Sequence, residues 1–180
     1  HPRILRSDTT VSLDADDIFY RNGETCGGIL YYESSRGCPY ACAYCLSSAT
    51  RGVRMKSVDE TLADMEAFER LDSEFRIIKF VDRTFNANKS RAKEIWSYII
   101  RNSGVLWPRE ICFHFEIAAD ILKESTISIL ATMPEGLCQL ETGIQSFNEN
   151  TLTAINRKSD LYKLCENVKR LISFRNMHIH

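Results

Sequence analysis

Three of the seven cysteines of this chain lie within eight residues, and their spacing constrains the molecule more than any other feature. Cys38, Cys42 and Cys45 form a Cys-x3-Cys-x2-Cys loop directly after an apolar run, residues 28–32, that is typical of a buried strand. A short loop can direct several thiolates toward one centre, and the thiolate is the form that binds iron or zinc. Soft sulfur ligands select an iron–sulfur cluster or zinc, and an odd-numbered group does not form a disulfide framework. The loop therefore predicts a metal or cluster site.

Composition limits the classes of protein to which the chain can belong. With 180 residues, 44% of them hydrophobic, it can bury a sizeable core and form one domain or a large part of one. A net charge of −1 with scattered Lys and Arg gives no reason to expect nucleic acid as a partner. No apolar run approaches the roughly 20 residues that span a bilayer, and no signal peptide is recognised, so we expect a cytoplasmic protein without membrane contact. In that reducing setting Cys26, Cys112, Cys138 and Cys165 are expected to be free thiols.

Short β-rich runs alternate with amphipathic segments along the rest of the chain. A Ser-x-x-Glu capping box at residues 57–60 opens a helix predicted over 58–72. Further strands are predicted at 76–81, 111–117, 137–140 and from Met177 onward, and further helices around 92–99, over 120–130 with Asp120 as its cap, and over 146–174 with a second capping box and a break near 156–159. This alternation predicts βαβ units and a parallel sheet, either open or closed into a barrel.

Polar side chains border several of the predicted strands at their carboxyl ends. Asp82 and Thr84 follow the second strand, Glu116 lies at the end of the third, and Glu141 and Gln145 border the fourth. Sites in parallel α/β proteins lie at the carboxyl ends of the strands. Because the cysteine loop follows the first strand, we expect it and these side chains to share one edge of the sheet.

Three thiolates leave one iron of a four-iron cluster without a protein ligand, and such an iron can chelate a small molecule. A structural zinc ion is closed by four protein ligands, and electron-transfer clusters commonly use four cysteines. Cys26 is the nearest fourth candidate, but the strand between it and the loop would place it near the opposite edge. The residues alone leave three interpretations open: an open-corner cluster, a zinc site, and a coincidental group of structural thiols.

Several stretches together resemble one known family. The cysteine loop, with the aromatic Tyr44 before its last cysteine, resembles the signature of the radical S-adenosylmethionine enzymes. Residues 115–117, 142–148 and 155–157 resemble, in order and spacing, the branch that contains the oxygen-independent coproporphyrinogen oxidases. Residues 80–85 resemble instead the cobalamin-associated branch, which includes the anaerobic magnesium-protoporphyrin ester cyclases and the methylthiotransferases.

The resemblance covers roughly residues 28–180 and implies an α/β fold, a partial (β/α)6 TIM-like barrel truncated to about four and a half βα units. It implies that Cys38, Cys42 and Cys45 ligate a 4Fe-4S cluster whose remaining iron binds S-adenosylmethionine. Reductive cleavage would then yield a 5′-deoxyadenosyl radical that abstracts hydrogen from a substrate. No catalytic residue is implied beyond the three cluster ligands. The alternative is a non-catalytic iron–sulfur or zinc-binding module.

The resemblance also implies cofactor contacts for residues near the loop. Tyr44 matches a position that packs near the adenine, although it can equally be an aromatic residue of the rim. Asp82 and Thr84 stand where relatives often have a glycine-rich segment that binds the methionine amino group, and their alternative role is a helix cap or turn.

Three further positions match family residues that contact the cofactor. Glu116 matches a ribose-binding position, and a salt bridge to a neighbouring strand is its alternative role. Gln145 and Arg157 match positions that contact S-adenosylmethionine, where a guanidinium suits a carboxylate. Glu141 receives no specific role, and His114 is expected to be a structural histidine.

The predicted domain organisation has two parts. Residues 1–27, which are polar and turn-rich, are predicted to be a linker or arm from an upstream domain, for which the resemblance suggests cobalamin binding. Residues 28–180 are predicted to be the core domain, incomplete at its carboxyl end because the last residues resemble the start of a strand. The implied partners are a one-electron donor of the flavodoxin or ferredoxin type, a small-molecule substrate, and flanking domains of the same polypeptide.

Overall fold

The computed structural model describes residues 28–49, 52–68, 75–107 and 110–180. The predicted linker at 1–27, with Cys26, lies outside these ranges. The strands are β1 (Ile29–Tyr32), β2 (Ser35–Gly37), β3 (Val53–Met55), β4 (Ile77–Phe80), β5 (Cys112–Ile117), β6 (Cys138–Thr142) and β7 (His178–Ile179). The helices are α1 (Val58–Phe68), α2 (Lys89–Asn102), α3 (Glu124–Leu130), α4 (Glu149–Ala154) and α5 (Leu161–Phe174).

Five of the strands form one parallel sheet in the order β1-β4-β5-β6-β7. Each step to the next strand passes through at least one helix, as parallel pairing requires. The predicted α/β fold with a parallel sheet is confirmed, and the sheet forms an open segment of a barrel-like wall rather than a closed ring within the described ranges.

A separate two-stranded antiparallel sheet, β2 with β3, was not predicted. Each strand has only three residues, and the two are separated by the cysteine loop. Strands this short carry no measurable period-2 pattern, so sequence reasoning could not detect them. The hairpin nevertheless fixes both ends of the segment that holds the three cysteines.

The helix starts were predicted with mixed success. The capping box at α1 is confirmed, because the Glu60 amide donates to Ser57 Oγ and the Ser57 amide donates to Glu60 Oε2. The second box is wrong, since Asn148 rather than the predicted serine caps α4. Asp120 does not cap α3 either; the helix starts later, after Lys123. The predicted break before α5 is confirmed.

One face of the sheet packs against the helices through a cluster of aromatic rings. Phe115 of β5 lies 4.4 Å from Phe85 and 4.6 Å from Phe80 between ring centroids, and Trp96 of α2 meets it edge-on at 5.8 Å. All four side chains have no measurable exposure. None of the helices in the described ranges is long and apolar enough to cross a membrane.

The other face of the sheet is polar. Strand residues alternate between the two faces, so the neighbours of the buried aromatic residues point away from the helices. Lys79 pairs in register with His114, His114 with Gln139, and Glu116 with Glu141. We call this set of five residues the polar face. Branched apolar residues usually fill the interior of such a barrel, whereas the polar face carries charged and amide side chains.

Candidate cluster and cofactor site

A glycine sets the path of the chain into the cysteine loop. Gly37, the last residue of β2, has φ +102°, a conformation that favours glycine. A Cβ atom at this position would collide with the carbonyl oxygen of Gly52, which precedes β3. The hairpin therefore needs glycine directly before Cys38, and it turns the chain toward the carboxyl edge of the sheet.

None of the three cysteines of the loop is in a disulfide, and they differ in exposure. Cys42 is buried, whereas Cys38 and Cys45 are partly exposed. Cys38 Sγ lies 3.6 Å from Thr84 Oγ1, which follows β4. The loop after β1 and the loop after β4 thus meet, as expected from the shared edge of the sheet.

A turn after α4 holds the cysteine loop in place. The Ala43 amide donates to the Ile155 carbonyl at 2.9 Å, and Asn156 Nδ2 donates to the Ala41 carbonyl at 2.8 Å. Asn156 adopts φ 53°, a left-handed conformation that Asn tolerates better than most residues. Sequence reasoning singled out residues 155–157 by resemblance only, and it did not identify this docking role.

Arg157 connects the turn to the buried cysteine. Its guanidinium lies 4.3 Å from the ring centroid of Tyr40, and its Nη1 lies 4.0 Å from Cys42 Sγ. Its Nη2 donates to the Gly143 carbonyl at 3.4 Å, while its Nε is buried without a hydrogen-bond partner in the described part of the chain. The guanidinium is thus held between the Tyr40 ring and the buried thiol of the loop.

Asp82 is fully buried, and its carboxylate serves the chain itself. It accepts hydrogen bonds from the amides of Ser34 and Ser35 at 2.8 and 3.0 Å and from both hydroxyls at 2.6 Å. Burial raises the pKa of Asp82, and these hydrogen bonds oppose the rise. These contacts favour the turn role over the predicted contact with a methionine amino group, which stays a prediction.

Glu116 lies on the polar face with a cation beside it. Its Oε1 lies 3.7 Å from Arg83 Nη1, an ion pair of the kind expected as its alternative role. Burial raises the pKa of Glu116, Arg83 opposes that rise, and the neighbouring Glu141 adds to it. Although Glu116 is only 22% exposed, its contact with Arg83 exceeds hydrogen-bond length, so its carboxylate can still accept a hydrogen bond from a ligand hydroxyl.

We expect Glu116→Gln to change how stability depends on pH. The pKa of Glu116 is raised in the folded state. Its contribution to the free energy of unfolding is therefore fully present below the ordinary Glu pKa and is lost as pH rises through the raised value. The free energy of unfolding of the variant, measured with urea at a series of pH values, should not show this decrease. Glu124→Gln is the control of opposite sign, because the hydrogen bond from Arg170 lowers the pKa of Glu124. Equal pH profiles for wild type and Glu116→Gln would contradict the raised pKa.

The remaining predicted contacts lie around the loop, and the Tyr44 side chain makes a hydrogen bond with that of Cys42. Gln145 is exposed, has φ 67°, and folds its side-chain amide back over Gly143. Tyr44 is 56% exposed. Their cofactor roles stay predictions. Glu141 contacts His114 Nε2 at 3.1 Å, which sequence reasoning did not foresee.

The residues of the site fit the predicted cluster. Among the described residues, no three His, Cys, Asp or Glu side chains converge closely enough to hold a single metal ion. The cysteines of a four-iron cluster ligate different irons, so they need not converge on one ion. A loop with three thiols outside any disulfide suits a cluster. The Arg157 Nε beside it has no hydrogen-bond partner among the described residues and suits an anionic ligand.

These features define a class: a parallel βα protein with a three-cysteine cluster loop at the carboxyl edge of its sheet. The chain belongs to the Radical SAM superfamily, whose sequence model matches residues 32–176. A search of curated proteins found no match.

Solved structures with the same fold include cobalamin-dependent radical enzymes. The radical S-adenosylmethionine methyltransferase TsrM from Kitasatospora setae, with cobalamin and a [4Fe-4S] cluster bound, has a TM-score of 0.66 and 18% identity over 89% of this chain and 29% of its own. TsrM with tryptophan substrate and the analogue aza-SAM gives the same score and identity over 30% of its length. OxsB with aqua-cobalamin has a TM-score of 0.62 and 20% identity over 83% of this chain and 23% of its own.

These comparisons confirm the family resemblance and the partial barrel fold. The family supports an enzyme that uses S-adenosylmethionine for radical chemistry. At 18 to 20% identity the structural likeness shows the fold alone, and the chain spans less than a third of the length of these proteins.

Proposed function

We propose that residues 28–180 are the cluster-binding part of a radical S-adenosylmethionine enzyme, in which Cys38, Cys42 and Cys45 each ligate one iron of a 4Fe-4S cluster. The observation that carries the proposal is the loop of three thiols outside any disulfide, with the Arg157 guanidinium 4.0 Å from Cys42 Sγ. When bound, such a cluster supplies the electron that cleaves S-adenosylmethionine to methionine and a 5′-deoxyadenosyl radical, which abstracts a substrate hydrogen.

The chain's own residues would bind and orient the S-adenosylmethionine. Arg157 has a buried Nε with no hydrogen-bond partner in the described ranges, and its paired donors suit the methionine carboxylate. Thr84 Oγ1, which faces Cys38, is the better-placed candidate for the methionine amino group, because the oxygens of Asp82 already accept four hydrogen bonds. Glu116 would accept from the ribose hydroxyls.

Two exposed residues complete the proposed contacts. Tyr44 would pack near the adenine from the cysteine loop, and Gln145 would contact the nucleoside from the loop after β6. Both side chains lie in loops and are exposed, so they can adjust when a ligand binds.

Anaerobic reconstitution with iron and sulfide tests this function. We expect a brown protein whose reduced-cluster electron paramagnetic resonance signal changes on addition of S-adenosylmethionine, and 5′-deoxyadenosine should form under dithionite. Zinc at one ion per chain with no brown colour would support a structural zinc module instead. A reduced-cluster signal that does not change on addition of S-adenosylmethionine would support an electron-transfer module.

Arg157→Gln should weaken S-adenosylmethionine binding while leaving the cluster ligands in place. The substitution removes the charge-assisted hydrogen bonds to a carboxylate. The concentration of S-adenosylmethionine that gives half of the spectroscopic change should therefore rise roughly 10- to 100-fold. Arg157→Lys should be intermediate, because it keeps the charge but loses the planar guanidinium. Arg170→Gln, which alters an exposed ion pair with Glu124, is the control. An unchanged titration in Arg157→Gln would remove Arg157 from the proposed contacts.

Further cofactors and partners are proposed for the whole polypeptide. TsrM and OxsB contain cobalamin, which supports cobalamin as a second cofactor held outside residues 28–180. A one-electron donor of the flavodoxin or ferredoxin type would reduce the cluster. Cobalamin that co-purifies with a longer form of the protein would test the first point.

A further inference from the structure

The proposed function leaves four side chains of the polar face without a role, and three of them contact one another. Lys79 of β4, His114 of β5 and Glu141 of β6 lie on neighbouring strands and contact one another through a single oxygen, Glu141 Oε2. His114 Nε2 lies 3.1 Å from this oxygen and Lys79 Nζ lies 3.6 Å from it. The three residues form a compact cluster beside Glu116, which is in register with Glu141.

The contact between the two charged members is loose. At 3.6 Å, Lys79 Nζ is farther from the carboxylate than a hydrogen bond allows, so no direct hydrogen bond between the two groups has to be broken before each turns to a ligand. The side chains of Lys79 and Glu141 are 25% and 46% exposed, whereas that of His114 is only 13% exposed. The cation and the anion are therefore accessible, whereas the imidazole is more buried and contacts the Glu141 carboxylate.

The charge of the cluster selects a class of ligand. Burial and the Lys79 ammonium lower the pKa of His114, while Glu141 opposes this and His180 adds to it. The imidazole is then neutral at pH 7, and one lysine and one glutamate balance each other. A ligand that keeps this balance and satisfies both groups carries one carboxylate and one ammonium.

We propose that Lys79, His114 and Glu141 bind the zwitterionic group of an amino-acid substrate, with its carboxylate on Lys79 and its ammonium on Glu141. The proposal rests on the proposed function, because it places the substrate from which the radical abstracts hydrogen on the polar face. This position is near the edge of the sheet that carries the cysteine loop. Its chemistry is separate from that of the S-adenosylmethionine contacts, which involve Thr84, Glu116 and Arg157.

Nuclear magnetic resonance of the histidine rings tests the proposal on the whole chain. The imidazole signals of ¹⁵N-labelled protein are recorded with each of the twenty common L-amino acids added singly, and His114→Gln assigns the His114 signal. We expect at least one amino acid to shift that signal with a dissociation constant in or below the millimolar range. Its methyl ester and its N-acetyl derivative, each lacking one charge, should bind about 10-fold or more weakly.

Matched variants separate the binding site from general stability. Lys79→Met and Glu141→Gln should each weaken amino-acid binding about 10-fold or more, whereas Glu124→Gln on the helical side should leave it unchanged. The paramagnetic response to S-adenosylmethionine should persist in all three variants. If that response is absent from the wild type, the proposed function fails while the His114 titration still decides the site.

Three results would overturn the proposal. The first is the absence of any amino acid that shifts the His114 signal. The second is equal binding of the charged and the derivatised probes by the wild-type protein, a comparison that needs no variant to fold. The third is a shift by S-adenosylmethionine alone, which would assign the cluster to that molecule.

Discussion

Replacing Cys42 with alanine is expected to abolish cluster binding and all formation of 5′-deoxyadenosine. Cys42 is the buried member of the loop and lies beside Arg157, so its loss removes one iron ligand and the sulfur that the guanidinium contacts. Cys38→Ala and Cys45→Ala should have the same effect, because a cluster with two protein ligands is not held. Iron and sulfide content after reconstitution, together with product formation under dithionite, measures the loss.

The control for this prediction is Cys165→Ala. Cys165 is a free, partly exposed thiol of α5, outside the cysteine loop. Its replacement should leave iron content and product unchanged. Retention of a full cluster in Cys42→Ala, or an equal loss in Cys165→Ala, would show that the loop does not hold the metal.

Asp82→Ala should destabilise the fold by about 3–5 kcal/mol, since removing one member of a buried charged network leaves its partners uncompensated. The amides of Ser34 and Ser35 lose their acceptor and cannot reach another one. Burial already lowers the pKa of Arg91, a cation that Asp82 helps to keep charged, so the loss spreads to α2. Urea unfolding of the iron-free protein measures the change.

Two further variants make this prediction specific. Asp59→Ala, on the exposed side of α1, should cost less than about 1 kcal/mol. Asp82→Asn should lie between Asp82→Ala and wild type, because its one amide oxygen can still accept from both serine amides, while the two hydroxyls lose Oδ2 as their acceptor. If Asp82→Asn kept wild-type stability and instead weakened the response to S-adenosylmethionine, the carboxylate would be a cofactor ligand after all.

The sequence predicted the elements of the fold well where a local pattern carries the information. The apolar runs that became β4, β5 and β6 and the capping box of α1 were all placed within a few residues. The hairpin of β2 and β3 was missed because three-residue strands have no pattern to detect. The cap of α4 was wrong because Asn148, two residues after the predicted serine, serves instead. The cap of α3 was wrong because that helix starts after Lys123 without a side-chain cap, and Asp120 instead accepts hydrogen bonds from Ser159 and Asp160.

The site was predictable in its ligands and much less so in its supports. The three cysteines form a pattern that is local in sequence, and the resemblance pointed to Arg157 as well. The hydrogen bonds that Ile155 and Asn156 make with the cysteine loop join segments far apart in the chain. Nothing in either segment alone indicates its partner.

The sequence by itself determined that this chain has a three-thiol loop after a strand and an alternation of strands and helices, because spacing and hydrophobic periodicity are properties of neighbouring residues. Only the tertiary structure decided that Asp82 faces Ser34 and Ser35, and that Arg157, 115 positions from Cys42, lies against it. The physical reason is that parallel strands bring their carboxyl ends to one edge of the sheet, and the side chains that meet there depend on register and packing.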